Sequence, residues 1–378
     1  MEGIIIKKFG FVLVFVIIFS AFPLSASALS ESSASSVVIN ADTLEIIYEK
    51  DAYSRRSMAS TTKIMTGLIL AESGRLTETV VCSKRAVSVE GSSMGLRAGD
   101  KITAQDLLYG LMLMSGNDAA NVIAEFIAGS NEKFAELMNK RSKELGLSDT
   151  NFITPSGLDD AEHYTTAYDL AKLTAYALKN NYFYDACSKS QVSVSFGNPP
   201  VKYTISNHNR LLKEYEGCVG VKTGFTKKSG RCLVSAAERD GKRIIAVTLK
   251  DPDDWRDHKE LLDYGFEMLT TATFKCENTI TVPIVNAESV CKIFFDDIEV
   301  SVLEQNIDKL SLKITKPDYI FSPIEEGDTV GRAEVCFNGD VVAVTKLYVI
   351  NGVLPTEYKK PSAKERIFLV FRNMIKTF

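Results

Sequence analysis

The 378-residue chain predicts an α+β domain, then a small all-β unit and an amphipathic C-terminal helix. Three observations carry that reading. Strand-like alternation begins near residue 36 and returns near residue 218, and helical spacing fills the interval. After about Phe274 only short alternating segments follow, until helical spacing resumes in the tail. The composition, 45% hydrophobic and 24% charged, is that of an ordinary globular protein. A formal net charge of −4 gives no global basic field, so nucleic acid is not an expected partner.

In chain order, Lys7 and Lys8 precede an uncharged, mostly apolar stretch from Phe9 to Phe22, then Pro23 and the small-residue site Ala26-Ser27-Ala28. That is the layout of a cleavable secretory signal over residues 1–28. A retained transmembrane anchor would need roughly 20 apolar residues, more than this stretch supplies. "SVVINADTLEIIYEKDA" then reads as two strands about an Asn40-Ala41-Asp42 turn. The segment from Ser60 places Ile64, Met65, Leu68 and Ile69 on one helical face and stops near Gly74.

Thr103 is placed to cap a helix over "AQDLLYGLMLM", which breaks at Ser115-Gly116-Asn117 before helical spacing resumes through Ala120, Val122, Ile123 and Phe126. Further helical pattern covers Phe134 to Leu145 and Ala167 to Leu178. Strands return at "CVGVKTG" and "RCLVSAAERDGKRIIAVTLK", where Asp240-Gly241 reads as a tight hairpin turn. The order strands, helices, strands suits one α+β domain whose sheet is assembled from both ends of the segment. Beyond Phe274 come "TITVPIV", "KIFFDDIEVSVL", "LSLKITK" and "AEVCFNGDVVAVTKLYVI", with Asn338-Gly339 as a second hairpin signal.

The tail from 358 to 378 carries Lys359, Lys360, Lys364, Arg366, Arg372 and Lys376 against Glu365, while Ile367, Val370, Phe371, Met374, Ile375 and Phe378 recur at helical spacing. A basic amphipathic helix of this kind suits an anionic membrane surface, although docking on the protein's own β unit would produce the same pattern. The expected domains are therefore a signal at 1–28, a catalytic domain at 29–274, a β-rich domain at 275–356 and an anchor helix at 357–378.

The seven cysteines are scattered, odd in number and never spaced as Cys-x-x-Cys. They support neither a disulfide framework nor a zinc site, and leave room for one unassigned bridge. The three histidines, His163, His208 and His258, read as surface or supporting residues rather than ligands, so no metal or cofactor is implied.

"MASTTKIMTGL" carries the chemistry. Ser60 and Lys63 are three apart at the head of a predicted helix, where the dipole disfavours a cation. At that spacing the side chains are neighbours. A lysine whose pKa is lowered by burial or by a second cation could take the serine proton. Two further elements follow in order: Ser115-Gly116-Asn117 at a helix break, and Lys222-Thr223-Gly224 at the end of a strand. Each is weak alone; together with Ser-x-x-Lys they are specific.

The match extends through "ASTTKIMT", "MLMSGNDAAN", "TPSGLDDAEHYTTAYDLAKL", "NHNRLL" and "GVKTGFTKKSG". On these segments the chain resembles the low-molecular-mass penicillin-binding proteins of the D-alanyl-D-alanine carboxypeptidase family, serine peptidases of the S11 type. The resemblance implies a catalytic domain of the serine β-lactamase/transpeptidase type, a sandwich-like β domain and a C-terminal anchor at the outer face of the cytoplasmic membrane. It implies Ser60 as nucleophile, Lys63 as general base and Ser115 as proton relay to the departing D-alanine. Asn117 would hold a substrate amide, Lys222 and Thr223 would grip the terminal carboxylate, and the backbone N–H groups of Ser60 and Phe225 would form the oxyanion hole beside Gly224. The substrate would be a peptidoglycan stem peptide ending in D-Ala-D-Ala, with β-lactams as inhibitors. One departure is Phe225, where relatives often carry a polar residue.

Three rival readings are distinguishable. A class A β-lactamase needs a deacylating glutamate in a Glu-x-x-x-Asn context, and no glutamate between Asn117 and Lys222 has an asparagine four residues on. A conventional serine hydrolase would use "GSSMG" around Ser93, but a loop, Leu96 to Asp100, follows in place of a helix. A wall-binding module with a dead transpeptidase fold would not need every polar side chain present here.

Overall fold

The computed structural model describes residues 29–285 and 290–352, so the signal at 1–28 and the helix at 357–378 lie outside the described residues. The chain divides into two compact units. One reaches to Ala272 and takes in Val300–Ile307; the other holds Thr273–Glu299 and the residues from Asp308 onward.

In chain order the first unit contains β1 (Ser35–Asn40), β2 (Ile46–Lys50), α1 (Lys63–Glu72), β3 (Thr79–Val81), α2 (Lys84–Val87), β4 (Lys101–Thr103), α3 (Ala104–Leu113), α4 (Asn117–Ala128) and α5 (Asn131–Glu144). It continues with α6 (Ala167–Ala177), α7 (Asn181–Ser188), β5 (Gln191–Gly197), β6 (Pro200–Ser206), α8 (Leu211–Glu214), β7 (Cys218–Thr226), β8 (Gly230–Arg239), β9 (Lys242–Leu249) and α9 (Asp254–Met268). The main sheet has the order β2-β1-β9-β8-β7, antiparallel throughout. The first hairpin thus lies against the last strand of the unit, as a sheet built from both ends requires. A smaller sheet has the order β3-β4-β5-β6.

Every residue of β1 is buried because helices cover both faces of the sheet. Val37 and Ile39 join Ile245 and Val247 in the core shared with α1, α3, α4 and α6. Val38, Leu233, Ile244 and Ala246 point the other way, onto Leu261 and Leu262 of α9. Each buried Val, Ile or Leu side chain is worth about 1.5–3 kcal/mol. The close approach of α9 depends on Gly265, where a Cβ would stand 2.8 Å from Ile244 Cγ2 and 3.0 Å from Val38 Cγ1.

Local signals place the elements that matter for function. Thr103 caps α3, its hydroxyl accepting from the Asp106 N–H at 3.1 Å. Ser115 then takes a left-handed φ of 58°, which a right-handed helix cannot continue, and α4 restarts at Asn117. Asp240 and Gly241, at φ of 49° and 73°, make the tight turn between β8 and β9. The short connection from Thr226 to Gly230 sets the register of the outer strand β7 on β8, which carries Lys222 to Gly224.

The second unit is built on a six-stranded sheet. Its strands, in spatial order, are Leu310–Thr315, Thr329–Phe337, Asp340–Val349, Val290–Phe294, Ile280–Val285 and Ile320–Phe321. Asn338 and Gly339, at φ of 52° and 94°, form the expected hairpin turn. Alternation buries Val282, Ile284, Cys291 and Ile293 and turns their neighbours toward solvent, whereas Ala333 to Phe337 is buried throughout. All seven cysteines are free, so the unassigned bridge is not formed. Among the described residues no helix is long and apolar enough to cross a membrane.

Candidate active site

The helix expected from Ser60 begins three residues later. Ala59–Thr62 form a 3₁₀ turn and α1 starts at Lys63. The tighter turn improves the expected geometry, since residues i and i+3 of a 3₁₀ helix eclipse one another. Lys63 Nζ lies 2.9 Å from Ser60 Oγ. Ala59, just before Ser60, takes a left-handed φ of 48°, a strained conformation for a residue with a Cβ.

The amine has two other neighbours, the Asn117 Oδ1 and the Ser156 backbone carbonyl, each at 2.7 Å. Both are acceptors only, so both take an N–H. A neutral amine has two such hydrogens, and its lone pair is then left facing the Ser60 hydroxyl. The orientation of the Asn117 carboxamide is fixed from its other end, where Nδ2 donates to the Glu90 carbonyl at 2.7 Å. Asn117 therefore orients the amine, and it keeps one N–H for a further acceptor.

Lys63 is fully buried. Burial holds its pKa well below the ordinary lysine value, the nearby Lys222 cation lowers it further, and the Asp118 carboxylate opposes both. Lys222, on β7, is also buried, which brings its pKa down to about 7. Its Nζ donates to the Thr223 carbonyl at 2.9 Å, so its other donors remain for an anion. Gly224 carries β7 past Ser60: a Cβ there would stand 3.0 Å from the Ser60 backbone nitrogen and 3.2 Å from the Met58 carbonyl oxygen. An added carbon would crowd the backbone at Ser60.

The remaining predicted residues are placed as follows. Ser115 is buried at the helix break, two residues before Asn117. Thr223 is half-buried on β7, and Phe225 is 66% exposed one residue beyond Gly224. The backbone N–H of His208, in the "NHNRLL" segment, donates to the Leu113 carbonyl at 3.2 Å, which brings that loop to the end of α3.

Ser93 belongs to a loop strapped to α4. Its hydroxyl donates to Asp118 Oδ2 at 2.6 Å, and the backbone N–H groups of Met94, Gly95 and Leu96 donate to the same carboxylate at 3.0 Å. This loop holds Glu90 where its carbonyl meets Asn117. Asp118, Glu90 and Ser156 are neighbours of the candidate site that side-chain chemistry in the sequence did not single out. Two of them act through backbone carbonyls, which leave no residue-type signal, although Ser156 does lie within the matched "TPSGLDD".

Two histidines are more deeply placed than the sequence suggested. His258 is fully buried between the Ser235 and Thr248 hydroxyls, and burial lowers its pKa to about 3. His163 is 3% exposed and bonded to Thr62. Both sit within hydroxyl and amide networks that replace water, which is why polar flanking sequence was a poor guide. Among the described residues no cluster of three or more His, Cys, Asp or Glu is arranged to hold a metal ion.

Residues 23–253 match the family described as D-alanyl-D-alanine carboxypeptidase, and residues 271–353 match the penicillin-binding protein 5 C-terminal domain. The chain is 33% identical to the D-alanyl-D-alanine carboxypeptidase DacF of Bacillus subtilis over 334 residues, covering 84% of this chain and 85% of that one. Among solved structures it resembles the D-alanyl-D-alanine carboxypeptidase DacD of Francisella tularensis, with a TM-score of 0.61 and 26% identity over 89% of this chain and 97% of that one. It also resembles the Streptomyces K15 DD-transpeptidase, with a TM-score of 0.60 and 34% identity over 63% of this chain and 98% of that one.

Proposed function

Because the chain belongs to the D-alanyl-D-alanine carboxypeptidase family, we propose that Ser60 is its nucleophile, Lys63 its general base and Lys222 its carboxylate anchor. The protein is a low-molecular-mass penicillin-binding protein with D-Ala-D-Ala carboxypeptidase activity. The observation that carries the assignment is the buried Lys63 amine, 2.9 Å from Ser60 Oγ with its other neighbours both carbonyl oxygens.

The reaction follows from that arrangement. Ser60 Oγ attacks the carbonyl carbon between the two D-alanines while its proton passes to Lys63 Nζ. The developing oxyanion is held by the backbone N–H groups of Ser60 and Phe225. Ser115 relays a proton to the leaving amine, the C–N bond breaks and D-alanine departs. Lys222 and Thr223 hold the terminal carboxylate, and Asn117 offers its remaining N–H to a substrate amide. Water then hydrolyses the ester and restores Ser60. A β-lactam acylates the same Ser60 Oγ as its carbonyl–nitrogen bond breaks, but the amine leaving group stays tethered in the opened ring.

The substrate is a peptidoglycan stem peptide ending in D-Ala-D-Ala. It lies outside the cytoplasmic membrane, in keeping with residues 1–28 as an export signal and 357–378 as a helix on the membrane's outer face. Residues 29–274 form the catalytic domain, and 275–356 space it from the membrane.

Incubation of the protein with a fluorescent penicillin, followed by peptide mass mapping, tests the assignment. The expected adduct is on Ser60, is lost in Ser60→Ala and persists in Ser93→Ala. An adduct on Ser93, or one that survives in Ser60→Ala, would overturn it.

A further inference from the structure

His163 lies in the loop between α5 and α6, and the mechanism above does not use it. Its Nδ1 accepts from the Ile153 N–H at 2.9 Å, so the ring proton sits on Nε2. Nε2 donates to Thr62 Oγ1 at 2.7 Å, and the Thr62 hydroxyl in turn donates to the Ala59 carbonyl at 2.8 Å. The imidazole thereby ties the loop to both residues that flank Ser60-Thr61. Its ring meets Phe152 edge to face, with centroids 6.0 Å apart.

The strand of loop held this way supplies the wall beside the base. Phe152 is bracketed by Asn139, with two hydrogen bonds of 2.8 Å. The Pro155 carbonyl accepts from Thr66 at 2.6 Å, and the next carbonyl, that of Ser156, accepts from Lys63 at 2.7 Å. Gly157 then passes against the Ala59 carbonyl. From the other end, His163 closes the loop back onto Ile153.

We infer that His163 is a positioning residue for the Ser60–Lys63 pair: through Thr62 and Ile153 it holds the Ser156 carbonyl where that carbonyl fixes the lysine lone pair on the serine hydroxyl. This rests on Ser60 and Lys63 having the roles assigned above. The imidazole must stay neutral, because a second N–H would oppose the Ile153 donor. Burial keeps it so, lowering its pKa to about 4, with Asp160 and Asp159 acting against that shift and Lys228 with it. The charged groups facing Lys63 are Lys222 from β7 and Asp118 from α4, and neither lies in the loop that His163 holds.

The test measures the rate constant of acylation by a fluorescent penicillin from pH 5 to 9, with thermal midpoints, for His163→Ala, Thr62→Val, Thr62→Ser and the His163→Ala/Thr62→Val double variant. A displacement of about 1 Å in a reacting group costs on the order of 100-fold in rate. His163→Ala and Thr62→Val are expected to slow acylation by about 10- to 100-fold. Their acid limb should move to higher pH, because water admitted beside Lys63 raises its pKa. Thr62→Ser, which keeps the hydroxyl, should stay near wild type, and the double variant should be no slower than the slower single. Variants that melt earlier but keep the wild-type rate and pH profile would overturn the inference, as would additive losses in the double variant. Ser60→Ala run in parallel separates the two readings: persisting adduct defeats the nucleophile assignment, whereas its loss beside an unchanged His163→Ala profile defeats the positioning role alone.

Discussion

Gly157→Ala should slow acylation at Ser60, the proposed nucleophile, without altering a reacting group. Gly157 has a φ of 86°, and a Cβ there would stand 1.9 Å from the Ala59 carbonyl oxygen, 2.5 Å from its carbon and 2.8 Å from Thr62 Oγ1. The shortest distance tolerated for such a pair is 3.0 Å, so loop and turn must part by at least 1.1 Å, the difference between 3.0 and 1.9. Both sides are backbone, and one directly precedes Ser60. The left-handed conformation adds about 1–2 kcal/mol for alanine. A 1 Å displacement of a reacting group corresponds to about 100-fold in rate, or roughly 2.7 kcal/mol of barrier. Gly74→Ala is the control: its φ is 70° and nothing lies within 4 Å of the added Cβ, so it bears the backbone cost alone. The assay is the second-order rate constant for acylation by a fluorescent penicillin, paired with thermal midpoints. Gly157→Ala should lose about two orders of magnitude in rate and melt below Gly74→Ala, which should acylate as wild type. Equal behaviour of the two variants, or wild-type acylation by Gly157→Ala, would refute the reasoning.

Two further outcomes rest on ionisation. Lys222, with its pKa lowered to about 7 by burial, is a cation below that pH and loses its charge above it. KM for a D-Ala-D-Ala peptide should therefore rise above pH 7. The bound carboxylate favours the cation, so the alkaline limb should lie higher in kcat than in kcat/KM, and a β-lactam ester lacking the carboxylate should show no such limb. Near the start of the described chain, Ser32 bonds to both Asp251 and Asp257, at 3.0 and 2.7 Å from its hydroxyl. Burial and the neighbouring Asp257 raise the Asp251 pKa, and its Oδ2 is buried without a hydrogen-bond partner among the described residues. A raised carboxyl stabilises the fold below its unfolded-state value near 3.8, and that contribution is lost as pH rises through the folded-state value. Asp251→Asn should thus raise Tm at pH 8 by roughly 2–4 °C, the worth of about 1 kcal/mol in a domain of this size, and leave it nearly unchanged at pH 4. A Tm that falls at pH 8 would refute this.

The sequence made much of the fold legible because periodicity reports burial. The β1–β2 hairpin, α3 with its Thr103 cap, the break at Ser115 and the Asp240-Gly241 turn each leave a local signal, and each forms where that signal stands. Ser60, Lys63, Asn117, Lys222 and Gly224 were legible as motifs, and the fold brings them to one place. Their surroundings were less legible. Nothing in the identity of Ser156 or Glu90 says that its carbonyl will meet Lys63 or Asn117, since every residue carries that carbonyl. His163 and His258 stand in polar sequence, and the hydroxyls that satisfy them when buried come from other elements of the fold. The start of α1 shifted because the left-handed Ala59 forces a tight turn before a regular helix can form.

The sheet order β2-β1-β9-β8-β7 has a consequence for when the protein becomes reactive. β1 has no inner partner until β9 is made, and Lys63 has no neighbouring cation until Lys222 on β7 is packed. Pairings this distant along the chain are slow to form. In a nascent or partly folded chain Lys63 would be an ordinary, hydrated ammonium and Ser60, the proposed nucleophile, an ordinary alcohol, so acylation by a β-lactam is expected of the folded protein alone. On the proposed roles, covalent labelling would count completed molecules, making the antibiotic a probe of maturation, blind to every chain still on its way.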